Sequence, residues 1–494
     1  MRWAWRRPSL LVLSGLGLLC LTAGLALATG SSTGTASTLD VREAGPSGGW
    51  RIDLAHRAGP GEIEGYAGAT SVAPGETLPL YVHSSGPYRI DVYRIGWYDG
   101  AGGSLLGCLP ACDGSAPAQP QPPATVDETT LEYRAPWHQT DALTIGSDWA
   151  SGYYQANLVL GNGRQYAIPF VVRGSSSAPA PLLVVVPVNT WQAYNEWGGK
   201  DLYSDPTSAT KVTFDRPYKP EDGQLPWRLE YPLVRFLEAN GFRTDHVTDV
   251  DLDAEPAQLT RYAAVVFAGH SEYWTLRMRA GLENALGHGV DVAIMGGNAL
   301  YWQIRYADGN RRELVEYRSA SDDPDPNRRT KTVRWRDQPL NAPECSLIGV
   351  EWQGGGSESN LGKRHDYTVA TTANPWFRGT GLKVGARLRG LVDYEWDAVQ
   401  QSCPRQRHRL TVLFHYEGQS TPQPQGVYTS SFLTQDADAV TFRTASGARL
   451  FAAGSNYFAS GLAPAAPSLV DGAHPPDPRL IRFVRNMLAD MAGR

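Results

Sequence analysis

Three uninterrupted apolar runs constrain the fold of this chain more than any other feature of its sequence. They are LLVVVPV at residues 182–188, AAVVFAG at residues 263–269 and VDVAIMGGN at residues 290–298. Such runs are typical of parallel strands that are buried on both faces of a sheet. Segments with a helical apolar stripe, PLVRFLEANGF and TLRMRAGLENALGHG, lie between them. The alternation of strand and helix predicts an open α/β sheet with right-handed crossovers.

The part of the chain before residue 174 has a different pattern. Short runs with period-two alternation, such as TLPLYVHS, GYYQANLVL and QYAIPFVV, are separated by turns such as APGE and GNG. This pattern predicts an antiparallel β-sandwich of the immunoglobulin (Ig-like) type. GSSSAPAP has the composition of a linker. We therefore expect a β-sandwich domain over residues 44–173, a linker over 174–181 and an α/β domain over 182–494.

The N-terminal segment, residues 1–28, has the pattern of a secretory signal peptide. Arg2, Arg6 and Arg7 precede an apolar stretch that ends in small residues, with cleavage expected after Ala28. We expect a secreted or extracytoplasmic protein that is exported by the Sec route. Two alternatives stay open, because Arg6 and Arg7 partly resemble a twin-arginine signal and an uncleaved segment would form a membrane anchor.

The charge and the cysteines restrict the partners and the redox environment. The net charge of −5 becomes about −8 without the three signal arginines, and the chain has no long basic cluster, so nucleic acid is not an expected partner.

Four cysteines remain after residue 28, an even number that favours two disulfides in an exported protein. CLPAC can close a small loop between Cys108 and Cys112, which leaves Cys345 and Cys403. A zinc site is less favoured, since these cysteines have no histidine neighbours in sequence.

Polar and aromatic clusters follow the three buried strands. They are NTWQAYNEWGGK, GHSEYW and GGNALYWQ. Because ligands bind at the carboxyl ends of strands in open parallel sheets, we expect these clusters to form one site. His270 and Glu272 are the candidates for acid and base catalysis, and Asn298 is a candidate for binding a carbonyl or for holding the scaffold. Asp393 and Glu395 in LVDYEWD, and the charged segment 322–337, are interpreted as structural.

An aromatic-rich loop over residues 189–229 is too long for a simple connection. It is either a lid over the substrate or a plug that packs on the sheet edge or the sandwich, and the sequence favours neither. The candidates for substrate binding, within this loop and in the other two clusters, are Trp191, Tyr194, Trp197, Trp274 and Trp302.

Five segments, in one order along the chain, resemble the family of the large (beta) subunit of N,N-dimethylformamidase. They are EGYAGATSVAPGETLPLYVHSSGPYRIDVYRIGWYDGAGG, NTWQAYNEWGGK, GHSEYWT, GGNALYWQ and FAAGSNYFASGL. The chain is similar to an exported, actinobacterial-type member. The resemblance implies a sandwich followed by a three-layer α/β domain with the class I glutamine amidotransferase-like (flavodoxin-like) fold.

The resemblance also implies one ferric ion, Fe(III), held by two tyrosines and a glutamate. Tyr273 lies in the matching HSEYW motif, whereas Tyr231 and Glu351 match by their position and spacing. Tyr194 competes with Tyr231 as the second tyrosine. The family's characterised amidase combines large and small subunits, but nothing in this chain indicates an obligatory small subunit. The oligomeric state stays open.

The predicted function is hydrolysis of a small-molecule amide, or of another non-peptide C–N bond, with a metal-bound hydroxide as nucleophile. In this hypothesis His270 and Glu272 orient water or transfer protons. One alternative is a non-catalytic exported protein that binds carbohydrate or a surface through an aromatic platform. The least favoured alternative is a serine hydrolase that uses Ser271, because Tyr273 replaces the second glycine of a nucleophile elbow.

Overall fold

The computed structural model describes most of the chain after the N-terminal segment. The described residues are 39–41, 44–174, 178–204, 206–219, 226–307, 309–355, 364–401, 403, 410–418, 436–464 and 474–493. The predicted signal peptide, residues 1–28, lies outside them. Across these ranges, every helix is too short or too polar to cross a lipid bilayer.

The first eleven strands form a β-sandwich. They are β1 (Gly45–Pro46), β2 (Ile63–Ala67), β3 (Ser71–Val72), β4 (Thr77–Ser84), β5 (Tyr88–Ile95), β6 (Gly103–Leu109), β7 (Thr125–Asp127), β8 (Glu132–Arg134), β9 (Asp141–Thr144), β10 (Gly152–Leu160) and β11 (Gln165–Val172). One sheet has the order β1-β6-β5-β10-β11-β3 and the other has the order β2-β4-β9, while β7 and β8 pair separately. The predicted strands TLPLYVHS, GYYQANLVL and QYAIPFVV are β4, β10 and β11.

The two sheets of the sandwich share one apolar core. Leu78, Leu80 and Val82 of β4 are fully buried, and so are Ile90 and Val92 of β5 on the opposing sheet. These residues alternate with more exposed ones along β4, as the period-two pattern requires.

The rest of the chain is an α/β region that is rich in strands. Its strands are β12 (Leu182–Val186), β13 (Lys211–Thr213), β14 (Thr244–Thr248), β15 (Ala264–Phe267), β16 (Tyr273–Thr275), β17 (Asp291–Ile294), β18 (Trp302–Tyr306), β19 (Glu313–Val315), β20 (Glu351–Gly355), β21 (His365–Val369), β22 (Arg387–Val392), β23 (Glu395–Ala398), β24 (Thr411–Tyr416), β25 (Ala437–Arg443) and β26 (Arg449–Ala452). Its helices are α1 (Val188–Ala193), α2 (Tyr231–Ala239), α3 (Asp249–Ala254), α4 (Leu276–Gly287), α5 (Cys345–Ile348) and α6 (Pro478–Met491).

A nine-stranded sheet organises this region, with the order β14-β12-β15-β17-β26-β25-β24-β21-β22. The first five strands are parallel, as the apolar runs predict, and the last four continue the sheet in antiparallel pairing. A smaller sheet, β13-β19-β18-β16, and the pair β20-β23 lie outside it.

Helices cover both faces of the parallel strands. Leu182 and Val184 of β12 pack in one core with α2 and α6, whereas Leu183 and Val185 pack in a second core with α3 and α4. Burial on both faces explains why the run LLVVVPV shows no polar alternation. The amphipathic helix α6 begins at Asp477, whose carboxylate accepts a hydrogen bond from the Arg479 N–H.

Both predicted disulfides are present. Cys108 at the end of β6 pairs with Cys112, and Cys345 at the start of α5 pairs with Cys403. The first bond closes a short loop at the edge of the sandwich, and the second joins two distant segments of the α/β region.

Candidate functional site

Three glycines allow the loops at the strand ends to touch each other. A Cβ at Gly296 would collide with the carbonyl oxygen of Gly269, and one at Gly297 would lie 2.7 Å from the carbonyl oxygen of Glu395. Gly269 has a φ of +54°, and a Cβ there would collide with the carboxylate of Glu230. Only glycine suits such close approach of one backbone to another. The loops after β15 and β17 and the start of β23 therefore meet at one point.

His270, Glu272 and Glu395 gather at this point. The His270 Nε2 lies 2.7 Å from Glu395 Oε2 and 3.3 Å from Glu272 Oε2. One potential ligand atom from each residue lies within 4.8 Å of the others, and no other group of His, Cys, Asp and Glu in the described ranges meets this criterion. We call these three residues the acidic cluster. His270 and Glu272 are buried, and Glu395 is partly exposed.

Two phenols hold the carboxylate of Glu272. The Tyr194 hydroxyl donates to Oε2 at 2.9 Å, and the Tyr203 hydroxyl donates to Oε1 at 2.6 Å. The two rings stack with centroids 4.6 Å apart, and Trp302 Nε1 donates to the Tyr203 oxygen at 3.2 Å. No lysine or arginine of the described residues forms an ion pair with Glu272. Its charge is therefore met only by neutral donors and by His270.

The pKa shifts follow from this lack of a permanent cation. Burial raises the pKa of Glu272 to about 7; His270 opposes this shift and Glu395 adds to it. Burial alone would lower the pKa of His270, but the charges of Glu395 and Glu272 outweigh it and raise that pKa. Burial, reinforced by Glu272, holds the pKa values of Tyr194 and Tyr203 well above the usual range. A bound cation would stabilise the ionised forms of Glu272, Tyr194 and Tyr203 and the neutral form of His270.

Several buried polar atoms around the cluster lack a well-formed hydrogen bond. His270 Nε2 and Glu395 Oε2 are in contact but are not aligned as donor and acceptor, and the Tyr273 hydroxyl has no partner among the described residues. Unsatisfied buried groups are costly, so natural proteins rarely keep them without a functional reason. An imidazole, two carboxylates and two phenols form a donor set that suits a metal ion.

Most of the residues predicted for the site do lie together here. His270, Glu272 and Tyr194 belong to the arrangement described above, and the ring of Tyr273 contacts that of Tyr194 edge-on at 6.4 Å. Asn298 donates from Nδ2 to Glu395 Oε1 at 3.1 Å, and its backbone N–H donates to Asp397 Oδ1 at 2.7 Å. Asn298 adopts a φ of +49°, which asparagine tolerates better than most residues.

Two of the predicted metal ligands, Tyr231 and Glu351, have their contacts in other parts of the described structure. The ring of Tyr231 packs 5.1 Å from that of Trp50, and a side chain at Gly102 in the sandwich would collide with its hydroxyl. Glu351 lies on β20, and its carboxylate is 3.7 Å from Arg336 Nη1. Within the described ranges, neither residue has a hydrogen bond, ion pair or ring contact with the acidic cluster. Among the described residues, no hydrogen bond, ion pair or ring contact joins Tyr231, Tyr273 and Glu351, although Tyr231 and Tyr273 share one hydrophobic core.

The predicted substrate-binding tryptophans divide into two groups. Trp302 contacts Tyr203, and Trp191 donates from Nε1 to Glu230 Oε1 at 3.2 Å, so both lie near the cluster. Trp274 is in the core, where it packs against Phe267. Trp197 donates to Glu64 of the sandwich. The aromatic loop therefore contributes both to the site, through Tyr194 and Tyr203, and to the packing against the sandwich, through Trp197.

Ser271 has no base beside it in the described structure. Its Oγ accepts a hydrogen bond from Trp274 Nε1 at 3.0 Å, and its side chain is buried. The neighbouring imidazole of His270 contacts carboxylates instead. The arrangement that activates a serine nucleophile is absent from the described residues here.

Sequence reasoning missed the roles of Glu395 and Tyr203. Glu395 stands in LVDYEWD, a segment interpreted as structural, and only its tertiary contacts with Gly297, His270 and Asn298 reveal that β23 reaches the cluster. Tyr203 was one of several aromatic residues in the long loop. The available signals were the place of Tyr203 in the aromatic-rich loop and the acidic residues of LVDYEWD.

A cleft leads to His270 from the surface. Its volume is about 50 Å³, enough for a few water molecules, and its lining includes Trp191, Arg228, Glu230, His270 and Tyr394. A small ligand in this cleft would therefore reach the acidic cluster.

Most of the chain, including the site, matches a known protein family in sequence. The family is described as N,N-dimethylformamidase beta subunit-like, C-terminal, and the match covers residues 89–472. The chain belongs to this family. The N,N-dimethylformamidase beta subunit-like region therefore includes the acidic cluster, both stacked tyrosines and the later strands of the sandwich.

Two solved structures show a low similarity to this chain. A Paenibacillus sp. cycloisomaltooligosaccharide glucanotransferase complexed with cycloisomaltoheptaose is 11% identical, and the match covers 42% of this chain and 20% of that chain, with a TM-score of 0.16. The cellulose-active LPMO CelS2 in complex with copper is 20% identical, and the match covers 22% of this chain and 54% of that chain, with a TM-score of 0.13. The chain thus spans a fifth of the first protein and about half of the second. No curated protein sequence matches it.

Proposed function

We propose that this protein is a metal-dependent hydrolase of a small amide or of a related non-peptide C–N bond. The observation that carries the proposal is the buried cluster of His270, Glu272 and Glu395 at the end of a cleft, without a permanent cation to balance it. The family membership supports an amide as the substrate. Perturbed carboxylates and a histidine in a cleft are typical of catalytic sites.

We assign the metal ligands to Tyr194, Tyr203 and Glu272. The resemblance implies two tyrosines and one glutamate, and here two phenols converge on one carboxylate. We prefer this set to the predicted set of Tyr231, Tyr273 and Glu351, because no hydrogen bond, ion pair or ring contact among the described residues joins the members of that set. The proposed ion is Fe(III), because phenolate and carboxylate oxygens suit a hard cation.

Tyr194, Tyr203 and Glu272 would hold the ion, which would supply Lewis acidity toward a carbonyl oxygen and a water molecule. The protein's own groups would manage the protons. His270, with Glu395 at 2.7 Å, can accept a proton from water and pass it to the leaving nitrogen. Asn298 fixes Glu395 through its Nδ2 and keeps a buried, unpaired Oδ1 near the site. The stacked Tyr194 and Tyr203 hold Glu272 in one orientation.

The aromatic-platform hypothesis has weaker support. A stacking platform needs exposed rings, whereas Trp191, Trp274 and Trp302 are all buried. The serine hydrolase hypothesis has weaker support as well, since Trp274 engages the Ser271 hydroxyl. We retain the hydrolase with a metal ion.

We also propose export of the protein and an amidotransferase-like arrangement of the five parallel strands. Two disulfides support an oxidising compartment. The order β14-β12-β15-β17-β26, covered by helices on both faces, supports the arrangement of the core. The proposed substrate is a small molecule. We propose no obligatory partner protein of the small-subunit type.

Metal analysis of the purified protein tests the proposal. We expect about one iron per chain, hydrolysis of simple amides, and a visible tyrosinate-to-iron absorption band. The Tyr194→Phe and Tyr203→Phe variants should each weaken this band, and Tyr231→Phe is the matched control that should keep it. A folded wild type that binds no metal and cleaves no amide would contradict the function. Loss of the band in Tyr231→Phe alone would contradict our ligand assignment.

A further inference from the structure

Arg228 lines the same cleft as His270 and lies beside Tyr394. The guanidinium carbon of Arg228 lies 5.6 Å from the ring centroid of Tyr394, and the ring of His270 lies 5.7 Å from the same centroid, edge-on. Arg228 and His270 both line the cleft. A small molecule in the cleft can therefore contact the guanidinium with one end and approach the cluster with the other.

Arg228 has no counterion in the described structure. It forms no ion pair and no hydrogen bond with any described residue, and its side chain is partly exposed. An arginine offers five N–H donors in a fork that matches a carboxylate, and it is the residue commonly used to bind one. The guanidinium is thus available to an anionic group of a ligand.

Glu230, two residues further along the chain, supplies a second polar contact. Its carboxylate is buried, Oε1 accepts the hydrogen bond from Trp191, and Oε2 has no partner among the described residues. Burial raises the pKa of Glu230 to about 7, although hydrogen bonds and Arg228 oppose the shift. Glu230 therefore carries only part of a negative charge near neutral pH.

We propose that the substrate is a secondary amide that bears a carboxylate, of the class of N-acyl amino acids. Arg228 binds the carboxylate, and Glu230 Oε2 accepts the amide N–H. The inference rests on the proposed function, because it places the amide carbon toward the acidic cluster. A tertiary amide has no N–H to donate and would leave the buried Glu230 oxygen unsatisfied.

The corresponding reaction is a simple hydrolysis. The oxygen of water bonds to the acyl carbon and the C–N bond breaks. The nitrogen then takes up a proton, so that N-acetylglycine and water give acetate and glycine. No oxidant, reductant or second substrate is needed.

Three matched compounds test the two contacts. N-acetylglycine has both the carboxylate and the N–H, N-ethylacetamide lacks the carboxylate, and N-acetylsarcosine lacks the N–H. We expect kcat/KM for N-acetylglycine to exceed that for either analogue by about tenfold to a hundredfold, as expected for charge-assisted and buried hydrogen bonds. Equal kcat/KM for all three compounds would overturn the inference.

The role of Arg228 is tested by substitution. Arg228→Met should reduce the ratio of kcat/KM between N-acetylglycine and N-ethylacetamide to about one, and Arg228→Lys should retain part of it. The matched control is Arg389→Met, because Arg389 lines a different cleft and should leave the ratio unchanged. A ratio that stays the same in Arg228→Met would overturn the assignment.

Calorimetry separates this inference from the proposed function. If no amide is hydrolysed, binding of N-acetylglycine to wild type and to Arg228→Met still shows whether the cleft holds the carboxylate. Binding that weakens in Arg228→Met supports the inference even when the hydrolase proposal fails. Binding of equal strength, or no binding, overturns it.

Discussion

Two buried carboxylates in this protein have opposite environments. Asp323 receives both Nη1 and Nη2 of Arg305, at 2.7 and 2.8 Å, and the backbone and hydroxyl of Thr332, each at 2.8 Å. Burial would raise the pKa of Asp323, but these hydrogen bonds and one from the Asp325 N–H lower it to about 2. Glu272 is equally buried, has no arginine, and its pKa rises to about 7.

The comparison shows how the two kinds of site differ. Asp323 is fully satisfied by the protein itself, and it organises the loop that surrounds it. Glu272 is left with neutral donors, a histidine and a second carboxylate, so the fold holds like charges together at a cost in stability. We therefore expect removal of these two charges to have opposite effects.

The largest effect is expected from Glu272→Gln. Catalysis should fall by at least about a hundredfold, because the cluster loses a proposed metal ligand. In the presence of a chelator, however, the free energy of unfolding should stay the same or rise, because a buried charge has been removed. Amide hydrolysis and urea unfolding measure the two quantities.

The matched control for this variant is Glu128→Gln, since Glu128 is exposed and its side chain has no hydrogen bond or ion pair among the described residues. It should change neither activity nor stability appreciably. A clear loss of stability in Glu272→Gln without metal would show that Glu272, like Asp323, is a structural carboxylate.

A smaller effect, in the opposite direction, is expected from Asp323→Asn. The variant should lose about 2–3 kcal/mol of unfolding free energy, because Arg305 would keep its charge without its buried partner. The kcat of the folded protein should be unchanged. Asp322→Asn, at the exposed neighbouring position, provides the control in the same urea experiment.

The smallest effect concerns pH. A carboxyl group whose pKa is lowered by folding stabilises the protein above its unfolded pKa, about 3.9, and this contribution is lost as the pH falls through the folded pKa. For Asp323 the window runs from about pH 4 down to about pH 2. Wild type should lose more stability than Asp323→Asn across this window. Parallel stability curves for the two proteins would contradict the assigned pKa.

The sequence predicted the parts of the fold that have strong periodicity. The sandwich strands and the buried strands β12, β15 and β17 lie where their apolar patterns placed them. The antiparallel strands β21, β22, β24 and β25 were not foreseen, because short half-buried strands resemble loops in a single sequence. The segment 322–337 was expected to be a solvated loop, but Asp323 and Trp335 within it are buried.

The site was predicted only where its residues follow a recognisable strand. His270, Glu272 and Asn298 come directly after β15 and β17, and they do meet. Glu395 and Tyr203 join them through tertiary contacts that no local pattern encodes. Tyr231 and Glu351 were predicted from their spacing along the chain. Spacing alone does not determine which side chains meet in the folded protein.

The contribution of β23 has a consequence for the assembly of the protein. Glu395 comes from a strand made late in synthesis, after all the other groups of the acidic cluster. A nascent chain that has formed β12, β14, β15 and β17 still lacks Glu395, the Asn298–Glu395 bond that fixes it, and the fifth parallel strand, β26. The acidic cluster is therefore completed only together with the C-terminal half of the large sheet, and chains shortened before β23 would lack both Glu395 and the central strand β26.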